Sequence, residues 1–351
     1  LGELEIIARP AGAELFVNGE LLGSANQTLR LQAVPQEIEV RKQGFITHSE
    51  TVTPKPGVSQ ALEITLLTEQ EARAVAIPPV IQGPQGQELR LIEPGRFRAG
   101  APRREPGRRA NETFREIELT RAFYMATREV SNRDFREFQL KHRSGRAGRA
   151  SLENDHHPVV NVSWEDAARY CNWLSEKESL EPAYVFRSGE LRGVEPMSNG
   201  YRLPTEAERA WAARFAGGVS LKSPRGGALP VAPGSGNYAD LSAQGNLEAT
   251  LPSYQDGFPA TAPVDSFGAN AVGLQNMGGN VAEWTHDFYA TVPSGSATLV
   301  QDPLGPESGD YHVIRGSSWM HSTVTELRLS YRDYGNKPRP DVGFRIARYA
   351  E

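Results

Sequence analysis

The residues from 276 to 288 carry side chains whose types and spacing suit metal chemistry. They read N-M-G-G-N-V-A-E-W-T-H-D-F, and the asparagine and glycine pair suit a turn through positive φ angles. Asn276 and Glu283 would supply an amide and a carboxylate oxygen, and the turn between them would supply carbonyl oxygens. Calcium prefers such a mixture of oxygen ligands. The alternative interpretation is an Asn-Gly turn followed by a glutamate on the surface.

Three capped helices are predicted ahead of this turn. They span residues 131–140, 163–179 and 205–215, and each begins at a serine or threonine suited to accept hydrogen bonds from the first helical turn. The single cysteine, Cys171, lies on the apolar stripe of the second helix. This position is typical of a core thiol rather than a nucleophile. Residues 216–310 are rich in Gly, Pro, Ser and Asn, which predicts mostly loop.

The first 68 residues read as a separate all-β domain. Short stretches alternate apolar with polar side chains, which is the period of a half-buried strand. The Asn18-Gly19 pair predicts a two-residue hairpin turn. Residues 69–87 contain prolines and glycines and are predicted to be a linker, with one or two helical turns at its start. A second domain is predicted over residues 88–351.

The composition excludes several classes of protein. The chain has 351 residues and a formal net charge of −5, which argues against a nucleic-acid surface. No run of about 18 apolar residues occurs, so no transmembrane segment is predicted in this chain. A single cysteine excludes an internal disulfide. Because the chain begins at Leu1 rather than at a methionine, we expect that a signal or anchor precedes it in the full product.

The order of motifs in the first domain resembles the PEGA family. The motif that names the family stands here as P-A-G-A at residues 10–13, so its glutamate is replaced. The resemblance implies a small β-sandwich that is attached to bacterial surface-associated proteins and serves as a spacer, docking or adhesive module. A binder of carbohydrate or cell wall is the functional alternative.

The second domain resembles the formylglycine-generating-enzyme superfamily, also called the sulfatase-modifying-factor family. Its G-N-x-x-E-W signature lies within residues 276–288. Six further motifs follow the family's order, at residues 123–132, 158–167, 201–209, 261–264, 315–319 and 342–345. The resemblance covers roughly residues 88–350 and implies a loop-rich α+β fold of low secondary-structure content, a variant of the C-type-lectin type.

The resemblance also implies one or two structural calcium ions. The first site would use the side chains of Asn276 and Glu283 with the carbonyls of Gly279 and Val281. The second site would use the side chains of Asn237 and Asp256 and the carbonyls of Tyr238 and Phe258. Calcium would hold long irregular segments that a hydrophobic core alone cannot order.

The chain departs from the family at the catalytic cysteines. Enzymes that make formylglycine carry two cysteines just after the motif at 315–319, and these thiolates bind copper(I). Here His321 stands at the first position and the second is deleted or replaced near Glu326. Since Cys171 lies elsewhere, the copper-dependent oxidase mechanism is excluded and no copper is expected.

Three functional hypotheses remain open. The first is a non-catalytic binding or scaffolding protein (a pseudoenzyme) of the bacterial cell envelope, accessory to a secretion, signalling or surface system. The second is an atypical periplasmic enzyme that oxidises or matures a small molecule or peptide. Its candidate acid–base residues are His321, Glu326 and Arg328, in a groove with Trp319 and Arg332. The third is a diversified receptor, which the low asparagine content of the C-terminal segment disfavours.

The expected partner is a protein or a cell-envelope component, with a small molecule or peptide as a further possibility. Both the PEGA resemblance and calcium at extracellular concentration favour an extracytoplasmic location, in the periplasm or on the cell surface.

Overall fold

The computed structural model describes residues 1–218, 220–222, 232–291 and 298–350. Parts of the predicted loop segment, at 219, 223–231 and 292–297, lie outside the described residues. The chain divides into two compact units, Leu1–Pro79 and Val80–Glu351.

The first unit is a two-sheet β structure. Its elements are β1 (Gly2–Arg9), β2 (Glu14–Val17), β3 (Glu20–Ser24), β4 (Gln27–Leu31), β5 (Gln36–Arg41), β6 (His48–Val52), β7 (Ser59–Thr65) and α1 (Glu69–Ala76). One sheet has the strand order β4-β1-β7 and the other β3-β2-β5-β6. Alternate side chains of β1 and β5 are buried in a core with Leu15 and Ile64, so the predicted alternation does mark the buried face.

The predicted hairpin turn joins β2 to β3. Asn18 and Gly19 have φ angles of 51° and 81°, as a type I′ turn requires, and the two strands pair in antiparallel register on either side.

The second unit has short strands and three helices among its described residues. Its strands are β8 (Val80–Gln82), β9 (Glu88–Ile92), β10 (Gly95–Ala99), β11 (Arg115–Leu119), β12 (Phe123–Ala126), β13 (Arg146–Ala147), β14 (Ala150–Ser151), β15 (Tyr184–Arg187), β16 (Glu190–Val194), β17 (Ala282–Phe288), β18 (Val300–Gln301), β19 (His312–Arg315), β20 (Arg332–Gly335), β21 (Val342–Gly343) and β22 (Ala347–Tyr349). Its helices are α2 (Asn132–Phe138), α3 (Trp164–Lys177) and α4 (Glu206–Arg214), with one 3-10 turn at Leu241–Ala243. This is the loop-rich α+β content that the resemblance implied.

Two four-stranded sheets of the second unit contain parts of the motifs at residues 123–132, 276–288, 315–319 and 342–345. One has the order β22-β12-β9-β8 and the other β20-β19-β17-β21. The metal-suited stretch enters the second sheet as β17, which pairs antiparallel with β19 and parallel with β21. A third sheet has the order β10-β11-β18, and β13-β14 and β15-β16 form two-stranded ribbons.

The three helices begin where their caps predict. The side chains of Ser131 and Ser163 accept hydrogen bonds of 3.2 and 3.0 Å from backbone N–H groups three residues on. Thr205 and Glu208 form a reciprocal capping box with hydrogen bonds of 3.0 and 2.8 Å. Helix α3 buries Cys171 completely, and this burial raises the pKa of its thiol, so its assignment as a core side chain is confirmed.

Candidate functional site

The groove expected at the segment between β19 and β20 is filled by side chains of the fold itself. Trp319 is 2% exposed and its indole Nε1 donates to the carbonyl of Pro340 at 3.2 Å. Arg332 is 4% exposed and donates two hydrogen bonds, of 2.7 and 2.9 Å, to the Glu206 carboxylate. The cavity beside Arg332 measures about 20 Å³, which is room for about one water molecule and too small for a substrate.

His321 is also an interior residue. Its Nδ1 accepts a hydrogen bond of 3.1 Å from the backbone N–H of Ser318, so the neutral ring carries its proton on Nε2. That nitrogen lies 3.9 Å from Asp341, whose carboxylate instead accepts from the Ser318 hydroxyl at 3.0 Å. Burial lowers the pKa of His321, and Asp341 opposes that shift. The Ser318 hydroxyl is hydrogen-bonded to Asp341 and not to the imidazole of His321. These three residues are therefore not arranged for nucleophilic catalysis.

The other two candidate acid–base residues have partners of their own. Glu326 accepts hydrogen bonds of 3.2 and 2.8 Å from the backbone N–H and hydroxyl of Thr323, so it caps its own turn. Arg328 is buried and donates two hydrogen bonds of 2.6 Å to Glu112 and one of 3.1 Å to Glu105. The predicted candidates therefore do not converge on one volume in this structure.

A buried ion network lies behind the metal-suited stretch. The Glu283 carboxylate is fully buried and accepts hydrogen bonds of 2.8 Å from Arg209 and of 2.8 and 2.9 Å from Arg345. The two guanidinium groups lower the pKa of Glu283 against the opposing effect of burial. Arg209 and Arg345 end the motifs at residues 201–209 and 342–345, and the sequence predicted no role for either.

Glu129 is a second buried carboxylate in this region. Its two oxygens accept hydrogen bonds of 2.9 and 3.1 Å from the amide nitrogens of Asn276 and Asn280. Burial raises the pKa of Glu129 to about 7; the charge of Arg345 opposes this shift and that of Glu283 adds to it. Sequence reasoning missed Glu129, because its neighbours Thr127, Arg128 and Ser131 are polar and give no sign that the carboxylate is buried.

The donor set predicted for the second calcium site fits a hard cation. The side-chain oxygen of Asn237 is buried and accepts no hydrogen bond. The Asp256 carboxylate accepts from the backbone N–H groups of Tyr238 and Phe258 at 2.9 and 2.8 Å, and Asp240 lies next to it. Burial raises the pKa of Asp256 to about 6, and neither aspartate forms a salt bridge with the residues that the structure describes. An amide oxygen without a partner and a carboxylate without a cation are the kinds of oxygen that a divalent cation such as calcium binds.

The donor set predicted for the first site fits only in part. The side-chain oxygen of Asn276 is buried without a hydrogen-bond partner, and the residue has a φ of 55°. Gly279, at a φ of 107°, packs against the backbone of Asn237, so the two predicted sets adjoin. Glu283, however, has its charge balanced by two arginines, which weakens the attraction of a divalent cation there. No cluster of three His, Cys, Asp or Glu side chains suited to a metal occurs in the described ranges.

The second unit has the loop-rich α+β fold expected of a formylglycine-generating-enzyme-type domain. It lacks the two cysteines that bind copper in the enzymes of that type. Residues 77–350 match the family described as the sulfatase-modifying factor enzyme 1-like domain, so the chain belongs to that family. Residues 1–70 match the PEGA domain.

Three relatives show the range of proteins that share this domain. The chain is 36% identical to the formylglycine-generating enzyme of Bos taurus over 201 residues, which are 56% of this chain and 45% of that protein. It is 28% identical to the serine/threonine-protein kinase pkn1 of Chlamydia caviae over 331 residues, which are 85% of this chain and 44% of that protein. The solved structure of Treponema denticola variable protein 1 superposes with a TM-score of 0.57 at 26% identity, covering 75% of this chain and 95% of that one.

The match covers 45% of the formylglycine-generating enzyme of Bos taurus and 58% of that of Thermomonospora curvata, so the chain spans about half the length of these curated relatives. In the described part of the chain, no helix combines the length and the apolar character needed to cross a lipid bilayer.

Proposed function

We propose that this protein is a non-catalytic binding or scaffolding protein. One observation carries the proposal: the candidate functional side chains between residues 316 and 332, where the family's enzymes carry their catalytic cysteines, have partners within the fold. His321, Arg328 and Arg332 are each less than 10% exposed and hydrogen-bonded within the fold. An active site needs groups that a substrate can reach, and here these groups hold the segment together.

The range of relatives supports a domain that is used outside formylglycine chemistry. It is found in a protein kinase and in a variable protein as well as in the oxidases. Together with a PEGA domain at residues 1–70, this supports an accessory role in a signalling, secretion or surface system of the cell envelope. An extracytoplasmic location, in the periplasm or on the surface, is part of the proposal.

Chemical modification of histidines tests whether the former catalytic groove is closed. Diethyl pyrocarbonate should modify His156, which is exposed, much faster than His321, which is 6% exposed. We expect a ratio of at least about tenfold, since a buried ring reacts only when the segment opens locally. Mass spectrometry of peptides after short exposure measures both rates.

The same reaction in denaturant supplies the control. There His321 should react as fast as His156, because the protection arises from the fold. Equal rates in the native protein would contradict the proposal and favour the alternative, an atypical enzyme that uses His321 and Glu326.

We further propose that one calcium ion stabilises the domain at Asn237 and Asp256. The bound ion would supply positive charge between the loops of residues 236–240 and 254–258. The protein's own part is to present the amide and carboxylate oxygens on backbone that is already fixed by hydrogen bonds. The set at Asn276 and Glu283 stays a prediction with weaker geometric support.

Removing calcium should lower the melting temperature by several degrees. A ligand present at about 100 times its Kd stabilises the folded state by about 2.7 kcal/mol, which corresponds to several degrees in a domain of this size. Calorimetry with calcium and with a chelator measures the shift, and metal analysis of the purified protein measures occupancy. The difference should vanish in Asp256→Asn.

The matched control is Asp265→Asn, whose carboxylate is 62% exposed. It should keep the full calcium-dependent shift. An identical melting temperature in calcium and chelator for the native chain, with no calcium found by analysis, would overturn the calcium proposal and leave the scaffold proposal standing.

A further inference from the structure

A cationic surface follows helix α2, at residues 140–149, and we call it the α2 loop patch. Its sequence is L-K-H-R-S-G-R-A-G-R, with four cations and no acid. Leu140 is 79% exposed, the highest value among the large hydrophobic residues of the described chain. This leucine lies beside exposed cations on a protein whose net charge is −5, so the patch differs from the chain as a whole in the sign of its charge.

The cations of the α2 loop patch have no acidic partners. Four exposed residues make no salt bridge within the described part of the chain: Lys141, Arg143, Arg146 and Arg149. Arg143 and Arg146 donate only to nearby backbone carbonyls, at 2.8 and 2.7 Å. The adjoining Arg136 behaves differently, because Glu153 and Asp155 balance its charge. The patch therefore presents unneutralised positive charge.

The loop that carries these cations is fixed by hydrogen bonds to buried residues of the fold. Ser144 is fully buried, donates to the side chain of Asn132 at 2.6 Å and accepts from the backbone of Val160 at 3.1 Å. Leu152, also fully buried, bonds to the carbonyl of Gly145 at 3.0 Å. Binding would not have to order this segment first, which removes a conformational-entropy cost.

Leu140, Arg143 and Arg146 line one open groove of about 680 Å³, together with Glu153 and the Arg136 that pairs with it. Its apolar and cationic groups thus share one surface rather than different faces. A soluble polyanion would use the cations alone. A bilayer would use both, because the leucine can enter the acyl boundary while the guanidinium groups meet lipid phosphates.

We infer that the α2 loop patch docks the protein peripherally on an anionic phospholipid membrane. The role goes beyond the proposed scaffolding and does not depend on it. The patch offers one exposed apolar side chain and four exposed cations, two of which line the groove beside the leucine, and this suits weak, reversible and salt-sensitive attachment.

Co-sedimentation of the full chain with vesicles tests the inference. Vesicles of phosphatidylglycerol and phosphatidylcholine in equal parts should bind the protein, and vesicles of phosphatidylcholine alone should not. The double variant Arg143→Gln, Arg146→Gln should bind about 25-fold more weakly, at about fivefold for each lost cation. Leu140→Ser should lose about tenfold.

Two controls decide between a membrane and other partners. Arg103→Gln, Arg104→Gln removes the same charge from another exposed segment and should leave vesicle binding within about twofold. Leu140→Ser should leave binding to dextran sulfate, a soluble polyanion, unchanged. The inference is overturned if the native chain fails to bind the anionic vesicles, if both double variants weaken binding equally, or if Leu140→Ser binds them like the native chain.

Discussion

Replacing Glu283 with glutamine should destabilise the second unit by about 3–5 kcal/mol. Glu283 is fully buried, and it is the shared carboxylate partner of Arg209 and Arg345. Removing one member of a buried ion network leaves the remaining charges desolvated without compensation, and this is the cost expected for such a loss. Denaturant unfolding, followed by the fluorescence of Trp284 and the other tryptophans, measures the change in free energy.

Glu190→Gln is the matched control. Its carboxylate pairs with Arg192 on the surface, where the two side chains are 69% and 54% exposed. Exposed pairs contribute about 0–1 kcal/mol, so this variant should unfold close to the native chain. A Glu283→Gln variant that is as stable as Glu190→Gln would show that the two arginines find water or other partners, and that the network does not hold the loops.

The network explains how a domain with so little regular structure keeps its shape. Four buried acids each hold at least one buried arginine: Glu112, Glu206, Glu208 and Glu283. Three of the four link positions at least 62 residues apart in sequence, as Arg328 and Glu112 do, whereas Glu208 pairs with Arg202 six residues away. These buried pairs connect the loops to one another and to the sheets, as backbone hydrogen bonds connect the strands of a sheet. The same geometry explains why His321, Arg328 and Arg332 are buried, while the polar side chains that reach the solvent from the segment between residues 316 and 332 lie in the turn at residues 322–326.

Local signals in the sequence predicted the local structure. The caps Ser131, Ser163 and Thr205 each begin a helix within one residue of the prediction. The Asn18-Gly19 turn is where its φ requirement put it. These features depend on neighbours within about four residues, so a single sequence contains the information that determines them.

The partners of charged residues could not be predicted in the same way. Arg332 meets Glu206, and Arg345 meets Glu283, only because the sheets and helix α4 bring them together. Nothing in the spacing indicates which arginine meets which acid. For the same reason the sequence did not show that Glu283 fits a calcium site poorly. The arginines that pair with it, Arg345 and Arg209, lie 62 and 74 residues away in the chain. Signals were present, however: single charges inside apolar motifs are rarely buried without partners.

The stability of the second unit should fall by about 3 kcal/mol between pH 4.5 and 7 because of Glu129. Its pKa is 4.5 before folding and is raised to about 7 by burial in the folded state. Over this range the unfolded chain has released the proton while the folded chain still holds it. Stability from this group is therefore complete below pH 4.5 and is lost as pH rises through 7.

Glu129→Gln isolates this effect, because glutamine keeps the shape and cannot ionise. The variant should be less stable than the native chain at pH 4.5, since each oxygen of the protonated carboxyl keeps a lone pair for the amide groups of Asn276 and Asn280, whereas the amide nitrogen of glutamine cannot accept. It should gain about 3 kcal/mol relative to the native chain by pH 8. Urea unfolding at a series of pH values, at fixed calcium concentration, gives the difference between the two curves. Other titrating groups cancel in that difference, so parallel curves would show that Glu129 is ionised in the folded protein across the whole range and that Arg345 outweighs its burial.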